Sequence, residues 1–437
     1  MNEKVTVKNQ FLRERYDKVT HSSGLSVYVF PKKLSTTYAA LTVRFGSLDN
    51  RFRLEGEEEA LAMPDGIAHF LEHKMFESED NIDTFDKFAA VGASANAYTS
   101  NEVTSYLFST SEAIEKALEI LVDYVFHPYF TEKNVEKEVG IIGQEIKMYE
   151  DSPSSRLYMA MMECLYQNHE IRTNICGSYE TISAITPELL TRCYRAFYRP
   201  DNMILTVCGD VTTDEVMRVV DAALPKDLPV SPVPICEYPE EPVGVFKKSC
   251  EFHMDIARPK ICVGIKDTII PKSPAERERR SIIMNLIGDL CFGESTPFYE
   301  RLYNAGLISR DFSACYESVK GCAHMLFSAA TDQPEALLAE LRAEFARLSA
   351  ATEIAETDFY RLRNVHYAEY IKDFDNTEEI AADLLDAILE GTELFETGNV
   401  ISSVTPDEIL SEMHRFFSEE QLSYAVILPI NRRNSHA

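Results

Sequence analysis

Two runs near the N-terminus, Leu25-Ser26-Val27-Tyr28-Val29-Phe30 and Tyr38 to Phe45, are rich in β-branched and aromatic residues. Such side chains suit a pleated, half-buried surface, so both runs are predicted strands. Farther along, the period changes. Between Ser111 and Val125, apolar residues recur as Ile114, Ala117, Leu118, Leu121, Val122 and Val125. Intervals of three and four place them on one face of a helix. Thr131 to Glu150 is predicted as a long helix with Thr131 as its N-cap and Pro153 limiting its end. Asp65 to Phe76 is predicted helical with Asp65 as N-cap, and Ala95 to Phe108 as a hairpin-like β region.

The pattern then repeats. Ile185-Thr186-Pro187-Glu188 opens a helical stretch to Phe197-Tyr198, with a strand near Met203 to Val207. Val404-Thr405-Pro406-Asp407 opens another to Phe416-Phe417, with a strand from Leu422 to Val426. Thr186 and Thr405 read as N-caps, each followed by proline at the first helical position. The constant offset, 404 − 185 = 219 and 426 − 207 = 219, points to tandem duplication. Between the copies lie Pro225, Pro229, Pro232, Pro234, Pro239 and Pro242, a density that forbids helix and favours an extended connector. The expected organisation is therefore a first domain over residues 1–226, a proline-rich linker over 227–245, and a homologous second domain over 246–437. The expected class is α+β: two homologous α/β domains, each a mostly antiparallel sheet with helices packed on one face.

Composition narrows the partners. Of 437 residues, 71 are acidic and 43 basic, giving a net charge of −28. Nucleic acid and anionic membranes need clustered Lys and Arg, so neither is an expected partner, whereas basic or amphipathic peptides are. The N-terminal MNEKVTVKNQFLRERYDKV has no apolar core like that of a signal peptide, and no stretch of 18 apolar residues occurs. Ten cysteines lie between Cys164 and Cys322 with no C-x-x-C pair. They read as buried thiols of a reducing, cytoplasmic compartment, and the spacing of a cysteine zinc site is missing.

The sharpest motif is His69-Phe70-Leu71-Glu72-His73. On a helix, residues four apart share a face, so both imidazoles can reach one metal ion, with Glu72 beside it. The order is H-x-x-E-H, the reverse of the commoner metallopeptidase motif. Ile67, Ala68, Phe70 and Leu71 make this a buried helix, and buried His and Glu side chains need partners. A catalytic zinc usually takes a third protein ligand. Glu138 and Glu145, seven apart in the predicted helix, share a face, and spacing does not choose between them.

The motif, followed by Gly92-Ala93-Ser94-Ala95-Asn96-Ala97-Tyr98-Thr99 and by Glu138-Val139-Gly140-Ile141-Ile142-Gly143-Gln144-Glu145, resembles the pitrilysin/insulinase family of zinc peptidases. Tyr198-Arg199-Pro200-Asp201-Asn202-Met203 adds to the likeness, which runs from about Leu25 to Leu428 and is nearest to the shorter two-domain bacterial members. The resemblance implies one zinc per chain, held by His69, His73 and Glu145. It implies Glu72 as general base, Glu138 as a supporting glutamate, and Asn96 and Ala97 on an edge strand that pairs with the peptide substrate. It implies an endopeptidase acting on short or unfolded peptides. The alternative is a non-catalytic, peptide-binding scaffold subunit.

One feature departs from the family. Active members carry an arginine and a tyrosine in the second domain, and in Phe298 to Ser309 these positions fall on Tyr303 and Ser309. A homologous second chain is therefore expected to supply the pair. Failing that, the chain is expected to form a homodimer.

Overall fold

The computed structural model describes residues 4–79, 82–226, 232–269 and 271–430. Seven strands form the first sheet: β1 (Lys4–Asn9), β2 (Glu14–Thr20), β3 (Ser26–Pro31), β4 (Thr37–Val43), β5 (Ala93–Thr99), β6 (Thr104–Thr110) and β7 (Met203–Gly209). Five form the second: β8 (Ser249–Met254), β9 (Lys260–Lys266), β10 (Ser313–Val319), β11 (Cys322–Ala330) and β12 (Leu422–Pro429). The orders are β1-β2-β3-β7-β4-β6-β5 and β8-β12-β9-β11-β10. Apart from β1 and β2, the two sheets have one topology. In each, the first pair is parallel (β3 with β7, β8 with β12) and the remaining neighbours are antiparallel. The repeated helices are α4 (Pro187–Phe197) and α6 (Pro406–Phe416), capped by the Thr186 and Thr405 hydroxyls.

The polypeptide is a mixed α/β molecule, mostly antiparallel within each sheet, as its patterning predicts. Helices cover more than one face, however. Successive residues of β3 point to opposite sides: Val27 and Val29 enter one apolar core, Tyr28 and Phe30 another. Helix α3 (Pro153–Leu165), from the first half of the chain, packs on β8, β9 and β12 of the second sheet. Helix α5 (Thr377–Glu390), from the second half, packs on β4 and β7 of the first. Each half thus lends the other a helix. Gly264 in β9 leaves room for α3, since a Cβ there would lie 3.1 Å from Leu165. Phe30 meets Phe374 and Phe395 across the same junction, and Tyr16 donates to Glu393 at 2.8 Å.

Part of the proline-rich segment is ordered. Pro234–Cys236 pairs with Arg51–Leu54 in a small third sheet, with Leu61–Ala62 on the other side. Pro234 takes an edge strand, where its missing N–H costs nothing. Pro229 and residues 227–231 lie outside the described residues.

Candidate metal centre

Helix α1 (Ile67–Met75) carries the motif beneath the edge strand β5. Its start differs from expectation. Gly66, not Asp65, is the N-cap, at φ 92°, and the Asp65 carboxylate instead accepts from Asn50 Nδ2 at 2.8 Å. The reason is a close approach of backbones. A Cβ on Gly66 would stand 2.5 Å from the Cys176 carbonyl oxygen, and one on Gly177 2.3 Å from the Asp65 carbonyl oxygen. Two glycines therefore let the loop carrying Cys176 lie against the first turn of α1. The helix expected from Ser111 likewise starts later, as Ile114–Val125, after Ala113 at φ 51°.

Ile67, Ala68, Phe70 and Leu71 are buried in the first core. The opposite stripe presents His69 and His73, whose ring centroids are 4.6 Å apart. Across from them runs α2 (Glu132–Asp151), capped by Thr131 as expected and anchored by Val135, Ile142 and Ile146. Pro153 does more than limit α2, because it is the first residue of α3.

The two glutamates left open by spacing occupy different places. Glu145 Oε1 lies 3.6 Å from His69 Nε2, and Glu145 Oε2 lies 3.4 Å from His73 Nε2. Glu138 is buried behind His73, with Oε1 3.1 Å from Nδ1 and Oε2 3.3 Å from Lys74 Nζ. Lys74 is fully buried and also pairs with Glu77 at 2.8 Å. With Glu138 accepting from Nδ1, the His73 Nε2 would be free to face a cation.

This donor set fits a zinc ion. With bonds of about 2 Å, the N···O edge of a tetrahedral zinc site is about 3.3 Å, close to both separations to Glu145. His69 itself is 8% exposed. Without a cation, burial and the neighbouring His73 hold the His69 pKa down, at about 4. Burial opposes charge on His73 too, but the bonds to Glu138 and Glu145 outweigh it and raise its pKa to about 9.

Glu72 is buried beside the pair, and Thr99 Oγ1 donates to its Oε2 at 2.6 Å. Burial raises its pKa above the usual carboxylate range, against the Thr99 bond and the His73 charge. A raised carboxylate is better matched to taking and returning protons near neutral pH. Asn96 and Ala97 lie in β5, paired inward with Leu107 and Tyr106 of β6. Among the described residues no strand pairs with the outer side of β5. The Ala97 N–H is bound by the Asn96 side-chain oxygen at 2.9 Å. A cavity of about 880 Å³ joins these residues to His69, Glu72, His73 and Glu145.

Sequence reasoning missed three neighbours. Thr99 and Lys74 stand inside or beside recognised motifs, yet their partners are remote in sequence. Cys176 shares with the other thiols a spacing that gives no sign of a ligand. Its Sγ lies 3.9 Å from His69 Nε2, and burial pushes the thiol pKa up to about 12.

The sequence model described as "Insulinase (Peptidase family M16)" matches residues 32–178, and that of the "Peptidase M16 inactive domain" matches residues 184–365. An uncharacterized zinc protease of Bacillus subtilis, YmfH, is 37% identical over 93% of this chain and 95% of its own length. The chain belongs to the insulinase family of peptidases, M16. The beta subunit of human mitochondrial-processing peptidase is 30% identical over 45% of this chain and 39% of its own length. The crystal structure of an M16-like peptidase from Alicyclobacillus acidocaldarius superposes with a TM-score of 0.89 at 32% identity, covering 98% of this chain and 99% of that one. A protease from Helicobacter pylori shares the fold, with a TM-score of 0.81 at 20% identity over 95% of this chain and 100% of its own. Within this M16 chain, His69, Glu72, His73 and Glu145 all fall in the segment matched by the first model, and none in the segment matched by the inactive domain. No helix among the described residues is long and apolar enough to cross a membrane.

Proposed function

We propose that the chain is the catalytic subunit of a zinc endopeptidase that hydrolyses short or unfolded peptides. The observation that carries the reading is the convergence of two Nε2 atoms on the Glu145 carboxylate at 3.4 and 3.6 Å, with buried Glu72 beside them. His69, His73 and Glu145 would hold the zinc, and Glu138 would fix the His73 ring. When bound, zinc supplies a water of lowered pKa and polarises the peptide carbonyl. Glu72 takes the water's proton on one carboxylate oxygen while Thr99 holds the other. It then passes that proton to the leaving amine. The outer edge of β5, at Asn96 and Ala97, binds the extended substrate through main-chain hydrogen bonds and so tolerates many sequences.

Among the described residues no arginine lines the cavity around His69, and neither Tyr303 nor Ser309 does. Arg301 is engaged with Glu340. The missing arginine favours a homologous second chain that brings one to the site, whereas Tyr98, Tyr149 and Tyr158 already line the cavity.

The test uses unstructured quenched-fluorescent peptides with the purified full chain, alone and with a co-purified homologous partner. Glu72→Gln serves as control. Glu72→Gln is expected to keep its metal and lose at least about 10²-fold in hydrolysis, the usual contribution of a general base. Undiminished hydrolysis by this variant would remove Glu72 from the mechanism. Full activity from the wild-type monomer or homodimer would remove the partner.

A further inference from the structure

Among the described residues, Cys176 is the thiol that the fold brings to His69 and Glu145. His69, Glu145 and Cys176 each place a donor atom within 4.8 Å of the other two, from three separate segments of chain. The His69 Nε2···Sγ separation is 3.9 Å. In a tetrahedral zinc site with Zn–N near 2.0 Å and Zn–S near 2.3 Å, that edge is about 3.5 Å. The two separations from His69 Nε2, 3.6 Å to Glu145 and 3.9 Å to Cys176, thus stand within a few tenths of an ångström of ligating edges.

The placement is built into the backbone. The Cys176 N–H is held by the Asn174 side-chain oxygen at 2.9 Å. Gly66 and Gly177 dock the loop on α1 so closely that neither position has room for a Cβ. Cys176 is 4% exposed and lines the same cavity as His69 and Glu72. Independently, His69 is a buried imidazole without a good partner. Nδ1 is unbonded, and Nε2 meets a carboxylate at 3.6 Å and a thiol at 3.9 Å, both long. A cation between these three atoms would satisfy Nε2 and both other donors together.

We infer that Cys176 is a further ligand of the resting metal site, joining His69 and Glu145 through its sulfur. The inference rests on the metal reading above. On binding, the S–H bond breaks, an Sγ–metal bond forms, and the proton passes to solvent. Because a catalytic zinc needs one open position, the thiol would have to leave the metal before water and peptide could bind there.

Cobalt(II) titrated into the metal-free full-length chain tests this without any assay of activity. The expected wild-type spectrum has visible d–d absorption together with a near-ultraviolet sulfur-to-cobalt charge-transfer band. Cys176→Ala should keep the first and lose the second. It should also bind zinc at least about tenfold more weakly in competition with a chelator. Visible absorption without the charge-transfer band in the wild-type protein overturns the thiol ligand and leaves the histidine–glutamate site standing. That outcome needs no variant to fold. A charge-transfer band that survives in Cys176→Ala assigns it to another cysteine and overturns the inference. Failure of the wild-type chain to bind cobalt or zinc overturns the metal reading, and the thiol ligand with it.

Discussion

At the scale of single residues, the chemistry depends on side chains that hold other side chains. Thr99 donates to Glu72 at 2.6 Å from the last position of β5, and so ties the proposed base to the strand proposed to bind peptide. Thr99→Val keeps the shape and removes the donor. Loss of one charge-assisted hydrogen bond corresponds to roughly 1.5 kcal/mol, about a tenfold change. The fall should appear in kcat, with KM and metal content unchanged. Steady-state kinetics beside metal analysis would check it, and an unchanged kcat would make Thr99 structural only. Glu145, Glu138 and Glu72 show how position separates three like groups. One carboxylate meets both Nε2 atoms, one is neutralised by Lys74 and His73, and one is raised by burial.

At the scale of elements, two predictions follow from how helices are seated. Gly66 combines φ 92° with a blocked Cβ position. Gly66→Ala therefore incurs both backbone strain and a clash with the Cys176 loop, together costing about 2–4 kcal/mol. Denaturant unfolding should show this loss, and metal affinity should fall with it because α1 and the loop separate. A variant as stable as wild type would refute the close approach. The second concerns α5. Asp383 on that helix is driven up to about 7 by burial and by Asp373, Asp386 and Glu379. It lines a cavity shared with Glu278, His366 and Glu369. A carboxylate with a raised folded pKa favours folding most below its unfolded value. That contribution is lost as the pH rises through about 7. Asp383→Asn should leave stability near pH 4 little changed and raise it at pH 8 by about 1 kcal/mol, allowing for partial exposure. Melting curves across that range would show it, and parallel profiles for variant and wild type would contradict it.

At the scale of the whole molecule, the exchange of α3 and α5 makes each half incomplete alone. A chain ending at residue 226 would bare Tyr28, Phe30 and Tyr38 on the first sheet, together with the apolar face of α3 at Leu157, Met161 and Leu165. Exposed apolar area of that size drives association. We expect residues 1–226 expressed alone to elute as aggregate in size-exclusion chromatography, and co-expression with residues 232–437 to restore a soluble 1:1 complex. A monomeric, cooperatively folding N-terminal half would contradict the mutual covering.

Much of this was legible in the linear order of residues. Helices and strands follow from local periodicity, the Thr-Pro starts from capping chemistry, and the duplication from a constant offset. All are short-range properties of the chain. The motif from His69 to His73 was legible for the same reason, since a helix fixes the direction of residues four apart. The choice between Glu138 and Glu145 was not, because both share one face and only the crossing of α1 and α2 sets their distances. The N-cap passed from Asp65 to Gly66 because a loop more than a hundred residues away presses on that turn. Cys176, Thr99, Lys74 and the exchanged helices were hidden for the same physical reason. Their roles are set by contacts between segments far apart in sequence, which packing decides and local patterning does not encode.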